Sequence, residues 1–216
     1  MSATSQRTGK PDGRAARAAV TRARILEAAA DLFTTAGYTG TSIGAIAAKA
    51  GVGEQTIYYA FGTKKAILAM ALDQAIAGDD QPTPTLERPW ATDALADPDP
   101  CGQLRRQAAG AGDIYLRAAP LLDVVRSAAP TDPDLSELWS ANLRQRLTVQ
   151  LAFAHALASK TRLRDDLTPE TAADIALAIL SPETYNLLAG ERKWPHAAWQ
   201  AWAERALISM LTTLAC

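Results

Sequence analysis

A short stretch between residues 54 and 65 combines side chains that can read DNA bases with side chains that can hold phosphates. The carboxamide of Gln55 can pair with adenine N6 and N7, and the carboxylate of Glu54 can accept a hydrogen bond from cytosine N4. An outward face with two tyrosines and a glutamine is unusual for a purely structural helix surface, so the stretch indicates a nucleic-acid contact. The other candidate DNA-contacting residues here are Thr56, Tyr58, Tyr59, Lys64 and Lys65.

The two lysines at positions 64 and 65 follow Thr63, which predicts the start of a helix. A helix dipole disfavours cations in the first turn by about 0.3–1 kcal/mol each at an exposed site. A DNA phosphate would be attracted both by the ammonium groups and by the free N–H groups of that helix end. The alternative is that both lysines are solvated and have no partner.

Two short helices joined by a glycine-centred turn and packed on a preceding helix form a helix-turn-helix. The predicted unit spans about residues 42–61, with its turn at Gly51-Val52-Gly53, and follows a helix over residues 21–36 that Gly37 ends. Thr41 or Ser42 is expected to cap the first helix of the pair. The predicted inward residues are Ile43, Ile46, Val52, Ile57 and Phe61.

The 216-residue chain contains 48% hydrophobic and 21% charged residues, a composition typical of a soluble globular protein. Apolar residues recur at helical spacing from about residue 20, and no run has the period of a strand. The fold class is therefore predicted as all-α. An N-terminal three-helix helix-turn-helix domain is expected to precede a C-terminal helical bundle.

The net charge of -1 conceals an asymmetry along the chain. Residues 1–77 carry nine basic and five acidic side chains, a net charge of +4, and the remainder carries -5. A basic N-terminal part and an acidic C-terminal part indicate that only the N-terminal part contacts a polyanion. Residues 1–18 are predicted to be a flexible basic arm, 19–78 the DNA-binding domain and 79–216 a second helical domain, to which the family resemblance described below assigns ligand sensing and dimerisation. The second boundary rests on five of the twelve prolines, which lie between residues 78 and 100.

Several functional classes are disfavoured by absent sequence features. No window approaches the ~18 apolar residues of a membrane helix, and the N-terminus lacks the apolar core of a signal peptide, so a cytoplasmic protein without membrane contact is expected. Cys101 and Cys216 lie far apart without a C-x-x-C motif, which argues against a disulfide framework. Only His155 and His196 could join them as ligands, so no metal site is predicted. No phosphate-binding loop or nucleophile motif indicates an enzyme, and no cofactor is expected.

Aromatic and polar residues on the predicted central helices of the rear domain could line a cavity between helices. The alternative for each aromatic residue is that it belongs only to the core. The candidate effector-pocket residues are Tyr115, Trp139, Asn142, Arg146 and Phe153.

Three tryptophans between residues 194 and 202 predict more apolar area than the edge of a lone domain needs. Two terminal helices from each of two subunits would then form a four-helix bundle. The candidate dimer-interface residues are Tyr185, Trp199, Trp202 and Leu207.

The N-terminal segment, over about residues 20–77, resembles the TetR (tetracycline-repressor-like) family of transcriptional regulators, of the actinobacterial type. The spacing of the combined motifs is highly specific, whereas the resemblance of the rear domain is looser. The residues that carry it are I-L-x-A-A-x-x-L-F at 25–33, Gly37-Tyr38, Thr41-Ser42-Ile43, Ile46-Ala47, Ala50-Gly51-Val52, Thr56-Ile57-Tyr58-x-x-Phe61-x-x-Lys64 and Ile67-Leu68.

The resemblance implies a homodimeric repressor that binds a palindromic double-stranded DNA operator and that a small-molecule effector releases. It implies phosphate contacts for Thr41 and Ser42, base contacts for the residues at 54–56, and backbone contacts for Tyr58 and Lys64. The chain departs from the family at Gly44, where many members have arginine, and at Ala60, where many have histidine or tyrosine. The alternatives are a DNA-binding protein without an effector and, least favoured, a helical enzyme.

Overall fold

All regular structure in the computed structural model, which describes residues 13–79 and 81–216, is helical. Among these residues the sole extended pairing is an isolated bridge between Leu163 and Thr212. The predicted all-α fold class is confirmed. The helices are α1 (Gly13–Gly40), α2 (Ile43–Ala50), α3 (Glu54–Phe61), α4 (Lys64–Ala77), α5 (Pro89–Ala96), α6 (Pro100–Ala128), α7 (Pro133–Lys160), α8 (Pro169–Ile179), α9 (Pro182–Tyr185), which continues into a π-helical turn (Asn186–Glu191), and α10 (His196–Leu211).

The chain divides into two compact units, Met1–Ala71 and Leu72–Cys216. In the described part of the first unit, α1 packs against α2, and α2 packs against α3. Their amphipathic faces meet in one core because apolar residues recur at helical spacing on each helix. The buried side chains of this core include Ile25, Phe33, Ile46, Ile57, Phe61, Ile67 and Leu68.

Helix α1 begins earlier than the sequence indicated. It starts at Gly13, so residues 13–18, predicted as part of a flexible arm, are helical, and residues 1–12 of that arm lie outside the described residues. Alanine and arginine dominate this stretch, and both are strong helix formers that can extend a helix without tertiary contacts.

The second unit is built around α6, which packs against α5, α7, α9 and α10. A helix predicted to end at Pro120 instead continues through it to Ala128. Proline inside a helix costs about 3 kcal/mol, but the residues flanking it, Ala118, Ala119, Leu121 and Leu122, are all buried. Burial on both sides of the proline therefore outweighs the lost backbone hydrogen bond.

The division between the units falls inside α4, not after residue 78 as the prolines indicated. The last turn of α4 is held to α6 because Arg117 Nε donates to Ala75 O at 3.0 Å and Arg117 Nη2 donates to Ile76 O at 3.3 Å. Residues 72–77 therefore belong to the second unit although they are continuous with the helix that begins in the first.

The proline-rich connection contains a docked helix, α5, which carries Trp90. Its indole lies against α6 at Gly110, where an added Cβ would come within 2.2 Å of Trp90 Cε3. The same ring stacks on Phe153 of α7, with 6.0 Å between the ring centroids. Gly110 thus allows the aromatic ring to approach the backbone of α6 directly.

Replacing Gly110 with alanine should destabilise the second unit, because the indole would have to leave its site on α6. Overpacking of this kind costs about 1–3 kcal/mol, which lowers the melting temperature by about 2–4 °C per kcal/mol in a chain of this size. Thermal unfolding of Gly110→Ala measures the effect. The control is Gly13→Ala on α1, where an added Cβ meets nothing within 4 Å; equal melting temperatures for both variants would contradict the packing account.

Candidate nucleic-acid interface and ligand cavity

The turn between α2 and α3 is set by local backbone chemistry. Ser42 caps α2, with its Oγ accepting a hydrogen bond from Ala45 N at 3.1 Å. Gly51 ends the helix in the left-handed region at φ 64°, which glycine adopts without a steric cost. Gly53 then leads into Glu54, the first residue of α3. The predicted helix-turn-helix is present, and Ser42 is its cap.

The two sides of α3 differ sharply in exposure. Ile57 and Phe61 are buried, whereas Tyr59 is 95% exposed and Tyr58 is 47% exposed. Glu54, Gln55 and Thr56 are exposed at the beginning of the helix. The structure thus brings the five predicted polar and aromatic residues together on the open side of one rigid helix.

Three cations hold the carbonyl ends of the helices that carry this surface. Arg24 Nη2 donates to Ala50 O, the last residue of α2, at 2.9 Å. Arg22 Nη1 lies 3.4 Å from Ala60 O near the end of α3, and its guanidinium stacks over Phe61 at 4.8 Å from the ring centroid. Carbonyl groups at helix ends lack intrahelical partners and carry partial negative charge, so a cation placed there is favourable.

Lys64 binds backbone carbonyl groups at the end of α1 in the same way. Its Nζ donates to Tyr38 O at 2.8 Å and to Thr41 O at 2.9 Å, and lies 4.2 Å from the centroid of the Tyr38 ring. These contacts explain a lysine in the first turn of α4 without a DNA phosphate. The predicted phosphate contacts of Lys64 and Lys65 stay predictions, but the dipole argument no longer requires them for Lys64.

Thr41 is not available to DNA, contrary to the expected phosphate contact. Its side chain is only 2% exposed, and its hydroxyl lies 2.8 Å from Gly37 O and 3.1 Å from Leu32 O. The hydroxyl closes the turn after α1 instead. Ser42, the next residue, is exposed and keeps its own O–H for a donor role.

Gly44 and Glu54 are spatially linked, which the sequence did not reveal. An added Cβ at Gly44 would lie 3.0 Å from Glu54 Oε1. The carboxylate therefore lies over the first turn of α2, where a helix N-terminus attracts negative charge. Glycine at this position, where the family often has arginine, leaves room for that side chain.

The second unit contains a mainly apolar cavity of about 80 Å³. Four of the five predicted effector-pocket residues line it, and the fifth, Trp139, instead packs its ring under the Arg146 guanidinium at 5.2 Å. The predicted residues among its walls are Tyr115, Asn142, Arg146 and Phe153.

Two polar atoms on the cavity wall have no hydrogen-bond partner among the described residues. They are Asn142 Oδ1 and Arg146 Nε, both buried. By contrast, Tyr115 Oη donates to Leu180 O at 2.6 Å, and burial raises the pKa of this phenol to about 12, so it stays neutral. A buried polar atom left without a partner costs about 1–3 kcal/mol, so these two atoms destabilise the unit as it stands.

Ten of the fourteen residues that line the cavity were not predicted, among them Trp90, Gln107 and Gln150. Trp90 lies on α5, and Gln107 Nε2 donates to Gln150 Oε1 at 2.7 Å. The two glutamines gave a weak signal, because each has a polar residue one helical turn away, Gln103 for Gln107 and Arg146 for Gln150. Trp90 carried a weaker signal, since it lies in a segment that reads as a loop.

Three of the four residues predicted for the dimer interface are instead buried inside the single chain. Trp199 and Leu207 are completely buried and Tyr185 is 6% exposed, so these side chains have no surface to offer a partner. They form an internal aromatic cluster, in which the Tyr185 and Trp199 rings lie 5.1 Å apart. Trp202 is half-buried beside Trp199.

The expectation for the two cysteines is also corrected. Cys101, at the beginning of α6, and Cys216, beyond α10, are joined by a disulfide with 6.0 Å between their Cα atoms. They were expected to be unpaired, because nothing in the local sequence relates residues 115 positions apart. Among the described residues, no group of three histidine, cysteine or acidic side chains could hold a metal ion, and no helix has the length and apolarity needed to cross a membrane.

An exposed recognition helix within a helix-turn-helix, followed by a helical unit with an internal cavity, defines a DNA-binding regulator. The family model of bacterial regulatory proteins of the tetR family matches residues 25–71. An HTH-type transcriptional repressor of Mycobacterium tuberculosis is 33% identical over 150 residues, which cover 63% of this chain and 68% of that protein. The chain belongs to the TetR family and is a transcriptional regulator, not an enzyme.

Solved structures share this fold. A TetR-family transcriptional regulator from Thermus thermophilus superposes with a TM-score of 0.63 at 22% identity, covering 85% of this chain and 97% of that one. A transcriptional regulator from Saccharomonospora viridis in complex with choline gives a TM-score of 0.67 at 18% identity, covering 91% and 100%.

Removing the Lys64 ammonium should destabilise the first unit even without DNA, because Tyr38 O and Thr41 O would lose their donor. Lys64→Met is expected to lower the unfolding free energy by about 1–3 kcal/mol. Thermal unfolding of the free protein measures this loss, with the exposed Lys193→Met as control. A Lys64 variant as stable as the control, but weaker in DNA binding, would instead assign the ammonium to a phosphate.

Proposed function

We propose that the protein is a homodimeric repressor that binds a palindromic operator through α3 and leaves it when a small molecule occupies the cavity of the second unit. The observation that carries the DNA-binding part is the exposed first turn of α3, placed above a fully buried opposite side. A helix presented in this way fits the major groove with its N-terminal residues toward the base edges. The repressor assignment is supported by the mycobacterial relative, which is a repressor.

Base reading is proposed for Gln55 and Thr56, and backbone contacts for Ser42, Tyr58, Tyr59 and Lys65. Gln55 is exposed, and its carboxamide can donate to adenine N7 and accept from N6. Glu54 occupies the same turn, but its carboxylate lies over the start of α2, so it is proposed to orient the turn as well as to approach bases.

Effector coupling is proposed to run through α4. This helix begins with Lys64, which holds the end of α1, and its last turn carries Ile76, which lines the cavity. A ligand that prefers one position of this last turn would shift the equilibrium between conformations in proportion to its differential affinity. Arg117, which donates to the carbonyls of residues 75 and 76, is placed to transmit that preference.

The direct test is in vitro selection of DNA bound by the purified full chain, followed by fluorescence anisotropy on the enriched sequence. A palindromic consensus and binding that weakens steeply with salt are expected, since each neutralised phosphate contributes about 0.9 to the log–log slope. Selection that enriches no sequence, or affinity independent of salt, would overturn the proposal. A cytoplasmic location is proposed, because a regulator of this kind meets bacterial DNA there.

Gln55→Ala should relax sequence preference at one base pair of each half-site. The binding free energy for the preferred operator should weaken by about 1–3 kcal/mol, or about tenfold to a hundredfold in Kd, because one bidentate base contact disappears. Anisotropy with every single-base operator variant measures it. Lys65→Ala is the matched control, expected to weaken all operators equally and to reduce the salt slope; equal weakening of all operators by Gln55→Ala would argue against base reading.

The dimer face is proposed to include the π-helical turn next to α10, where Leu187 is 49% exposed. Glutamate at this position would place a charge in an apolar contact between subunits, so Leu187→Glu should shift the protein to monomers at micromolar concentration. Sedimentation equilibrium measures the association. Leu143→Glu on α7, at a leucine 41% exposed, is the control and should remain dimeric. A monomeric parent protein would refute dimerisation itself.

A further inference from the structure

The charge of the cavity wall restricts the kind of ligand that it can bind. Among its lining residues, Arg146 alone is charged at neutral pH. Its side chain is 13% exposed, and the carboxylate nearest to it, that of Glu183, lies 3.9 Å from Nη1 on a side chain that is 44% exposed. Glu183 does not line the cavity, and water screens it, so it offsets the arginine only weakly. The cavity therefore presents a net positive wall.

The two unpartnered atoms give the geometry of the polar end. Asn142 and Arg146 are one helical turn apart on α7, so their side chains lie next to each other on one side of the helix. Arg146 Nε–H can donate and Asn142 Oδ1 can accept. A guest that satisfies both must carry an acceptor and, close to it, a hydroxyl or amine hydrogen.

The remaining walls and the volume describe the body of the guest. Trp90, Val149, Phe153 and Leu122 are apolar and face the same space. A cavity that admits benzene has a volume of about 150 Å³, and the volume here is about 80 Å³. The body is therefore a short, compact hydrocarbon chain and not a polycyclic or long-chain group.

We infer that the cavity binds a small organic anion, a short-chain 2-hydroxycarboxylate with a compact apolar body. Its carboxylate accepts from Arg146, its hydroxyl donates to Asn142 Oδ1, and its hydrocarbon end packs against Trp90 and Phe153. A cation such as the choline bound by the Saccharomonospora viridis regulator would be repelled by Arg146. The inference rests on the proposed effector-releasing function and names the chemical class of its ligand.

The test compares four small probes on the full chain: lactate, propionate, lactamide and choline. Binding is measured by the rise in melting temperature and by release of the selected operator. Lactate should bind most tightly and release DNA, propionate several-fold more weakly, and the neutral amide and the cation about 10- to 100-fold more weakly, because they lose the charge-assisted bond.

Two variants connect the preference to the named atoms. Arg146→Gln should remove the advantage of the acid over the amide, and Arg144→Gln, an exposed arginine on the same helix, should retain it. Asn142→Leu should bind lactate and propionate equally; this ratio remains measurable even where Arg146→Gln fails to fold.

The outcomes separate the ligand class from the function. Tighter binding of choline or of the amide, or an unchanged acid preference in Arg146→Gln, overturns the anion assignment, while release of DNA by those probes leaves the effector function standing. If no probe binds but a metabolite extract still releases the operator, only the ligand class fails. If neither the probes nor the extract release a bound operator, the effector function fails together with it.

Discussion

The first unit depends on one electrostatic arrangement, in which cations occupy the carbonyl ends of its helices. Helices of eight residues, such as α2 and α3, are marginal by themselves, because nucleation is costly and the last four carbonyls of each helix have no intrahelical partner. Arg24, Arg22 and Lys64 supply those partners from positions 23 to 38 residues away along the chain. The recognition surface is rigid because its backbone ends are bound by side chains from other helices.

This arrangement changes how the net positive charge of residues 1–77 is interpreted. A positive charge count predicts polyanion binding only to the extent that the charges face solvent. The guanidinium groups of Arg22 and Arg24 and the ammonium of Lys64 are directed at backbone carbonyls, and Lys49 pairs with Asp31. Fewer cations are therefore available to phosphates than the sequence count indicates, so the proposed DNA contact depends more on the polar and aromatic face of α3.

The parts of the fold that local chemistry determines could be predicted from the sequence. The break in helical geometry at Gly37, the cap at Ser42 and the turn at Gly51 each follow from what one side chain or one left-handed glycine does for its neighbours. The features that depend on distant partners could not be predicted. Trp199 was predicted to lie at the surface because the residues that bury it are on other helices. The disulfide between Cys101 and Cys216 was missed because nothing in the local sequence relates the two cysteines. The continuation through Pro120 likewise depends on burial that only the folded unit supplies.

The same division between local and distant causes applies to the cavity. Periodicity placed Tyr115, Asn142, Arg146 and Phe153 on inner helix sides, but only the assembled unit shows that two of them keep polar atoms without partners. Selection for stability alone would replace such a pair by apolar residues, because a buried, incompletely paired arginine is often no better than a well-packed hydrocarbon side chain. The protein instead retains an arginine whose ring partner, Trp139, and distant carboxylate, Glu183, fix its position while leaving Nε open. A charged donor that is held in place while its Nε–H stays open is what the proposed anion site requires, whereas packing in a core does not call for it.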